Sequence, residues 1–225
     1  MKETHRFPRD TQAFLDALRH EVRNILGPIQ NAVHLIRNNG QDRGRIEDAC
    51  AIVDRQVGNM ARLLDELPEV PQGAQGLVPA TGERAPGAPG AADAVAGARP
   101  RRILIVEDLF DAAITMELLL EMMGHQVEIA VDGQSGLDKA DRFGPDIILC
   151  DIGLPGALSG YDVARRVRRM PRVRDAYLIA LTGFGSPSDK AEAAQAGFDL
   201  HLVKPIDPAA LEPMIARIPP RSLSA

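Results

Sequence analysis

The chain begins with two stretches in which apolar residues recur at steps of three and four. The first stripe consists of Phe14, Leu18, Val22, Ile25, Ile29, Val33 and Ile36. After the polar break NNGQDRG, the second consists of Ile46, Ala49, Val53, Val57, Met60, Leu64 and Leu67. This spacing predicts two amphipathic helices joined as an αα-hairpin. Because one partner helix cannot cover either stripe, we expect two hairpins to form a four-helix bundle, and hence a homodimer.

The pattern changes abruptly between Pro68 and Pro100. Six Pro, six Gly and nine Ala fill these 33 residues, and large apolar side chains are almost absent. Such a segment buries too little surface to offset the entropy of ordering it. We interpret it as a flexible tether with a root-mean-square span of about 30 Å. Its glycines follow no predicted strand, so they do not form a phosphate-binding loop.

Beyond the tether, short β-rich runs alternate with helical patterns. The runs are RILIVED, QVEIAVD, DIILCD, YLIALTG and LHLVKP, and the helical patterns begin near Leu109, Gly133, Tyr161, Ser188 and after Pro208. Alternating units of this size predict an α/β domain in which helices cover both faces of a parallel sheet. We therefore divide the chain into a helical domain at 1–67, a linker at 68–100 and an α/β domain at 101–225.

Composition narrows the class of protein. The chain has 225 residues, 45% hydrophobic and 25% charged, which is typical of a globular protein. No apolar run is long enough to span a membrane, and no signal peptide is visible, so we expect a cytoplasmic protein without a membrane partner. The net charge of −5 gives no case for nucleic-acid binding. Cys50 and Cys150 both lie in apolar sequence, which indicates reduced structural cysteines.

Acidic residues fall at the carboxyl ends of two predicted strands. Glu107 and Asp108 follow the first strand, and Asp151 ends the third. Ligand sites of open α/β sheets lie beyond these strand ends, so the three carboxylates should converge and need a cation. Oxygen ligands without sulfur or imidazole favour Mg²⁺. Thr182 and Lys204 end the fourth and fifth strands, and this combination of groups suits phosphoryl transfer.

The segments ILIVED, DIILCDIGLP, IALTGFG and HLVKPID resemble the response-regulator receiver domain, with the CheY-like fold, over residues 101 to about 220. The resemblance implies a doubly wound, five-stranded sheet with five flanking helices. It also implies that Asp151 is the phosphoacceptor, with Glu107, Asp108 and the carbonyl of Gly153 as Mg²⁺ ligands. Thr182 would hold a phosphoryl oxygen and Lys204 would pair with the phosphoryl group. His201 stands where the family usually has an aromatic residue.

A histidine in the first helix is the other candidate for phosphoryl chemistry. His20 lies two residues from Leu18 and from Val22, about 200° around a helix from each. We therefore expect it on the solvent face, where it can be phosphorylated. Asn24 lies one turn further along the same face. Glu21 is adjacent and can take the imidazole proton as a general base.

The segment FLDALRHEVRNILGPIQNAVHLIR resembles the dimerisation and histidine-phosphotransfer domain of sensor histidine kinases. The matching positions are His20, Glu21, Arg23, Asn24, Leu26, Pro28 and Ile29. The resemblance covers residues 10–67, although the family's proline five residues after the histidine is Ile25 here. In such kinases an ATP-binding domain follows these helices, whereas here the tether follows. We therefore expect no ATP-dependent autokinase activity.

Three functions fit these features. The first is a phosphorelay protein that accepts a phosphoryl group on Asp151 from a separate sensor kinase and exchanges it with His20. The second is a phosphatase, or phosphate sink, in which Glu21 and Asn24 match an E-x-x-N pattern and Asn24 orients a water towards the aspartyl phosphate of its own or another receiver. The third is a non-enzymatic dimeric response regulator, in which the helices serve only dimerisation. The first function is favoured because helices that served only dimerisation would not need the residues around His20 to match the histidine-phosphotransfer motif in kind and spacing.

Overall fold

In the computed structural model, the described residues are 9–38, 42–66, 99–183 and 187–219. The helices are α1 (Arg9–Asn38), α2 (Arg43–Glu66), α3 (Phe110–Met122), α4 (Gly133–Phe143), α5 (Gly160–Val167), α6 (Pro187–Ala196) and α7 (Pro208–Arg217). The strands are β1 (Arg102–Val106), β2 (Gln126–Ala130), β3 (Ile147–Asp151), β4 (Tyr177–Thr182) and β5 (Leu200–Val203). Nearly all of the predicted tether lies outside the described residues.

The five strands form one parallel sheet in the order β2-β1-β3-β4-β5. The chain runs outwards from β1 to β2 and then returns to place β3 on the other side of β1. This reversal creates a topological switch point between β1 and β3, at the edge where their carboxyl ends meet. The predicted α/β domain with a five-stranded parallel sheet and flanking helices is therefore confirmed.

The local sequence explains where strands and helices begin. The central strand β3 is buried along its whole length, as expected for a strand of continuous apolar character covered on both faces. Helices α4 and α5 begin with reciprocal caps, Asp132 with Ser135 and Ser159 with Asp162, which satisfy backbone N–H groups of the first turn. Helix α7 begins with Asp207 as its cap and Pro208 in its first turn.

Two apolar cores cover the sheet, one on each face. One core packs β-strand residues against α4, α5 and α6. The other packs the opposite face against α3 and α7, and it extends outwards to Ala32 and Leu35 of α1 and to Ala49 and Ile52 of α2. We call α1 and α2 together the N-terminal helix pair. This pair adds a further layer on the α3 side of the sheet, where α1 contacts both α3 and α7.

The apolar surface of the helix pair is not covered in the expected way, by a second helix pair. Part of the helix pair's apolar surface, including Leu35 and Ile52, is buried in a core shared with the α/β domain of the same chain. In contrast, Phe14, Val57 and Leu64 remain 46%, 56% and 60% exposed. Leu35 and Ile52 lie outside the predicted stripes, whose buried members within the described residues are Ile25 and Ala49. The predicted stripes therefore coincide only in part with the buried face of the helix pair, and the α/β domain of the same chain covers that face.

Two smaller expectations have separate outcomes. Cys150 is buried, and burial raises the pKa of its thiol, as expected for an inert structural cysteine. Cys50 is exposed on α2, so its expected apolar surroundings were wrong. None of the helices within the described ranges has both the length and the apolar character that a membrane span requires.

Candidate functional site

Three acidic side chains meet at the carboxyl edge of the sheet. Glu107 and Asp108 follow β1, and Asp151 is the last residue of β3, the neighbouring strand. One carboxylate oxygen of each lies within 4.8 Å of the others. The predicted convergence of these three residues is therefore present, because parallel neighbours place their carboxyl ends at the same edge.

Lys204 binds two members of this carboxylate cluster. Its Nζ donates to Oε2 of Glu107 at 2.6 Å and to Oδ2 of Asp151 at 2.7 Å. The other carboxylate oxygen of Asp151, Oδ1, accepts from the backbone N–H of Gly153 at 2.9 Å. Thr182 is buried at the end of β4, and its carbonyl accepts from the backbone N–H of Lys204. All the residues predicted at the strand ends thus lie at the same edge of the sheet as Asp151.

Burial and mutual repulsion shift the pKa values in the cluster. Burial, reinforced by the charge of Asp151, raises the pKa of Glu107 to about 7, although Lys204 acts against the shift. Burial also raises the pKa of Asp108, and the charges of Lys204 and His20 oppose that shift. For Lys204, burial acts to lower the pKa, but the two carboxylates outweigh it and the pKa is raised. An additional positive charge beside these carboxyl groups would therefore stabilise their ionised forms.

The donor set fits a magnesium ion. Three carboxylates from two adjacent strand ends supply only oxygen, which hard divalent cations prefer. Oε1 of Glu107 is buried and has no hydrogen-bond partner within the described residues, so it retains an acceptor position for a ligand. Lys204 supplies only one positive charge against the three carboxyl groups. A bound cation would complete this compensation.

Gly160 supports the loop beside Asp151, and sequence reasoning gave it no role. An added Cβ on Gly160 would lie 2.2 Å from the carbonyl oxygen of Asp151, so any side chain there would displace the end of β3.

His201, which stands where the receiver family usually has an aromatic residue, is half-buried on β5. Burial lowers its pKa, with Lys190 contributing in the same direction.

His20 is half-buried and its Nδ1 is covered by protein, so the expected position on the solvent face was wrong. Its ring packs against Gly183, the residue directly after Thr182. Arg23, nearly one turn further along α1, donates from Nη1 to the carbonyl oxygen of Gly183 at 2.6 Å. The face of α1 opposite the apolar stripe therefore contacts the end of β4. Helical periodicity could not reveal this contact, because it shows which residues share a face but not what that face meets.

A second set of contacts attaches the helix pair to α3. Arg55 on α2 makes a two-pronged salt bridge to Asp111, with Nη2 at 2.6 Å from Oδ1, and Gln56 donates to Oδ2 at 2.7 Å. Burial acts to raise the pKa of Asp111, but these two partners outweigh it and hold the pKa below its usual value. Asn31 on α1 donates to Thr115 at 3.4 Å. No sequence motif indicated these residues.

A cavity between α1 and the α/β domain adjoins the carboxylate cluster. Its volume is about 30 Å³, and Asn24, Asn31, Glu107 and Lys204 are among the residues that line it. Oδ1 of Asn24 and Oδ1 of Asn31 are buried without a hydrogen-bond partner within the described residues. Such a space holds about one or two water molecules. Glu21, by contrast, is exposed and lines an outer groove with Asn24.

Comparisons with known proteins match the α/β part of the chain. The sequence profile of the response regulator receiver domain matches residues 103–216. The DNA-binding dual master transcriptional regulator RpaA of Synechocystis sp. is 40% identical over 119 residues, which cover 52% of this chain and 47% of RpaA. The response regulator ArlR of Staphylococcus aureus is 35% identical over 117 residues, covering 52% of this chain and 50% of ArlR. The chain thus spans about half the length of these relatives.

Solved structures give the same match. The chemotaxis protein CheY4 of Vibrio cholerae is 28% identical with a TM-score of 0.51, and the match covers 53% of this chain and 99% of CheY4. The receiver domain of sensor histidine kinase PA1611 from Pseudomonas aeruginosa PAO1, with magnesium in its active site cleft, is 33% identical with a TM-score of 0.49. That match covers 52% of this chain and 96% of the PA1611 domain. The family profile begins at residue 103 and does not include the helix pair.

Proposed function

We propose that this chain, which belongs to the response regulator receiver family of two-component signalling, accepts a phosphoryl group on Asp151 and exchanges it with His20. A separate sensor histidine kinase would supply the phosphoryl group, and another receiver protein is a candidate recipient. In this proposal, residues 1–67 form a histidine-phosphotransfer-like domain, 68–100 form a linker and 101–225 form the receiver. As part of this proposal, we expect no ATP-dependent autokinase activity from these residues.

The exchange needs one bond to form as another breaks. A carboxylate oxygen of Asp151 bonds to phosphorus while the bond from phosphorus to the donor breaks. In the second step an imidazole nitrogen of His20 bonds to phosphorus while the bond from phosphorus to the Asp151 oxygen breaks, which restores the carboxylate. The attacking nitrogen is the unprotonated one, so the proton is lost from the other ring nitrogen, and the adjacent, exposed Glu21 would take it. Thr182 would donate a hydrogen bond to a phosphoryl oxygen, and Lys204 would move its ammonium from the carboxylates to that group.

Magnesium would be held by Glu107, Asp108, Asp151 and the carbonyl of Gly153. When bound, it neutralises charge on the phosphoryl oxygens and orients the group for transfer. The residues of the chain bury one side of the site, and their carboxylate and carbonyl oxygens would bind the cation. Oε1 of Glu107, which has no hydrogen-bond partner within the described residues, supports this assignment.

The observation that carries the proposal is the position of His20. A histidine 131 residues before Asp151 in sequence lies against Gly183, next to Thr182 at the end of β4. The charge of His20 also acts on Asp108, whose carboxylate belongs to the cluster. His20 and Asp151 therefore lie at the same edge of the sheet within one chain, which supports an exchange that would need no second encounter.

Phosphorylation with a small acyl phosphate and Mg²⁺ tests the exchange. Wild type should acquire both an aspartyl phosphate and an acid-labile, alkali-stable phosphate on histidine. Asp151→Asn should abolish both, whereas His20→Ala should abolish only the phosphohistidine. Asp141→Asn and His34→Ala provide matched controls at an exposed aspartate of α4 and at another histidine of α1. If wild type forms phosphoaspartate but no phosphohistidine, the exchange is contradicted. The protein would then be a receiver whose helix pair is not phosphorylated.

A phosphatase activity is the second candidate, and the cavity favours it. Asn24 lines a cavity together with Glu107 and Lys204, and its buried Oδ1 has no partner within the described part of the chain. An amide oxygen in this position can accept a hydrogen bond from a water and orient it. The water would attack phosphorus, and the bond from phosphorus to Asp151 would break to release inorganic phosphate.

Substitution of Asn24 separates the two activities. Asn24→Ala should slow loss of aspartyl phosphate by about tenfold while preserving phosphoryl exchange. Asn38→Ala, at the exposed end of the same helix, is the matched control. Unchanged loss of aspartyl phosphate in Asn24→Ala would exclude this phosphatase role.

We also propose that the chain is a cytoplasmic homodimer that pairs through its helical hairpins as a four-helix bundle. The exposed Phe14, Val57 and Leu64 support this, because large apolar side chains on both helices favour an apolar partner. Val57→Glu with Leu64→Glu should convert a dimeric mass to a monomeric one in sedimentation. A monomeric wild type would contradict the dimer. The expected lack of nucleic-acid binding stays a prediction, since RpaA is named a DNA-binding regulator.

A further inference from the structure

Residue 183 is a point at which two side chains of α1 contact the acceptor edge directly. His20 packs its ring on the α-carbon side of Gly183, and Arg23 binds the carbonyl oxygen of the same residue at 2.6 Å. Two side chains from nearly one turn of α1 therefore contact a single receiver residue. Thr182, which precedes Gly183, belongs to the predicted phosphoryl site.

The backbone at residue 183 does not itself require glycine. The described glycines with positive φ are Gly124, Gly144, Gly156 and Gly197, and Gly183 is not one of them. Its conformation is thus open to an ordinary L-residue. If glycine is needed at this position, the reason has to be the space that a side chain would occupy.

That space is filled by the imidazole of His20. A Cβ on Gly183 would lie 2.5 Å from Nδ1, 3.3 Å from Cε1 and 3.6 Å from Cγ. The first distance is below any normal carbon–nitrogen contact, so the ring or the end of β4 would have to move. The added atom would meet the ring of His20 first, because the three nearest atoms all belong to that ring.

We infer that Gly183 is a specificity-determining residue: its lack of a side chain admits the chain's own His20 to the acceptor edge. This inference rests on the proposed exchange between His20 and Asp151. An alanine at 183 would displace the ring without releasing the helix pair, because the Arg55–Asp111 salt bridge and the apolar contacts of Leu35 and Ile52 lie elsewhere. Gly183 is a positioning residue, since it acts through His20.

Gly183→Ala should change how the phosphoryl group divides between the two sites. The ratio of phosphohistidine to phosphoaspartate should fall by about tenfold to about 100-fold, because a displacement of about 1 Å has a large effect on group transfer. Gly58→Ala is the matched control, since an added Cβ there meets nothing within 4 Å. If the amounts of both phosphorylated residues fall by the same factor, residue 183 supports the acceptor site generally and the inference is wrong.

An unfolding cycle tests the same contact without phosphorylation. Gly183→Ala should lower the urea midpoint of the full chain, and this loss should disappear in the His20→Ala background but persist in His34→Ala. An equal loss in all three backgrounds would overturn the inference. If wild type forms no phosphohistidine, the exchange proposal fails, but this cycle still shows whether Gly183 accommodates His20.

Discussion

The carboxyl edge of the sheet and the N-terminal helix pair obtain their functional residues in different ways. At the sheet edge, Glu107, Asp151 and Lys204 come together because parallel strands end at the same place. On α1, His20 reaches the same edge only because α1 packs on α3 and α7. Backbone topology thus determines the first site, whereas a surface contact between two layers determines the second.

The two regions also differ in burial. Lys204 and its carboxylate partners are almost completely buried, with Glu107 at 2% exposure. The salt bridge of the helix pair is only partly buried, because the side chain of Asp111 is largely covered whereas that of Arg55 is half exposed. Loss of a partner should therefore cost much more at the sheet edge than at the helix pair, because water can replace only the exposed partner.

The largest expected effect is at the sheet edge. Lys204→Met leaves Glu107 and Asp151 as buried carboxyl groups without their ammonium partner. We expect the free energy of unfolding, from urea titration in the absence of divalent cations, to fall by about 3–5 kcal/mol. Lys190→Met, at an exposed position of α6, should stay within about 0.5 kcal/mol of wild type.

Added Mg²⁺ sharpens this test. A cation bound by the carboxylate cluster would replace part of the missing positive charge, so Mg²⁺ should stabilise Lys204→Met more than it stabilises wild type. Equal stabilisation of both proteins would show that Lys204 and the cation do not compensate the same carboxylates.

An intermediate effect is expected where the helix pair meets α3. Arg55→Ala and Asp111→Ala should each destabilise the chain, and a double-mutant cycle should give a coupling energy of about 0.5–1 kcal/mol, because Arg55 is half exposed. Hydrogen exchange in α3 should increase in both single variants, since loosening of the helix pair uncovers that helix.

The Arg43–Glu47 pair is the control for that cycle. Both side chains are mostly exposed within α2, so their coupling should not exceed a few tenths of a kcal/mol. A coupling between Arg55 and Asp111 as small as this would mean that the apolar contacts alone hold the helix pair in place.

The smallest effect concerns a buried histidine distant from both sites in sequence. Burial lowers the pKa of His125, and the charge of Arg101 acts in the same direction. Its folded pKa is therefore below the ordinary value of 6.5. The unfolded chain binds the proton first as pH falls, so stability is fully present above pH 6.5 and decreases below it.

His125→Asn should remove this pH dependence while keeping an acceptor for the backbone N–H of Arg101, which now donates to Nδ1 at 3.3 Å. Between pH 7.5 and pH 5.5, the free energy of unfolding should decrease further in wild type than in the variant. The difference between the two decreases should be below about 1 kcal/mol. Urea midpoints that decrease in parallel for both proteins would show that His125 does not contribute.

The sequence allowed most of the receiver region to be predicted. Continuous apolar runs such as IILC indicated strands buried on both faces, and all five strands occur where they were expected. Asp151 and Lys204 followed from the rule that sites lie beyond strand ends. Gly160 and Asp111 were missed, because a close backbone approach and an ion pair between helices leave no periodic signal in a sequence.

For the helix pair, the sequence by itself determined the two helices and the apolar stripes along them. It did so because a 3.6-residue repeat is a local property of the chain. Only the tertiary structure decided that the receiver of the same chain covers part of those stripes and that His20 packs on Gly183. The contact of His20 with Gly183 joins residues 163 positions apart, and all these contacts depend on which two surfaces fit one another. Local patterns along a chain do not contain that information.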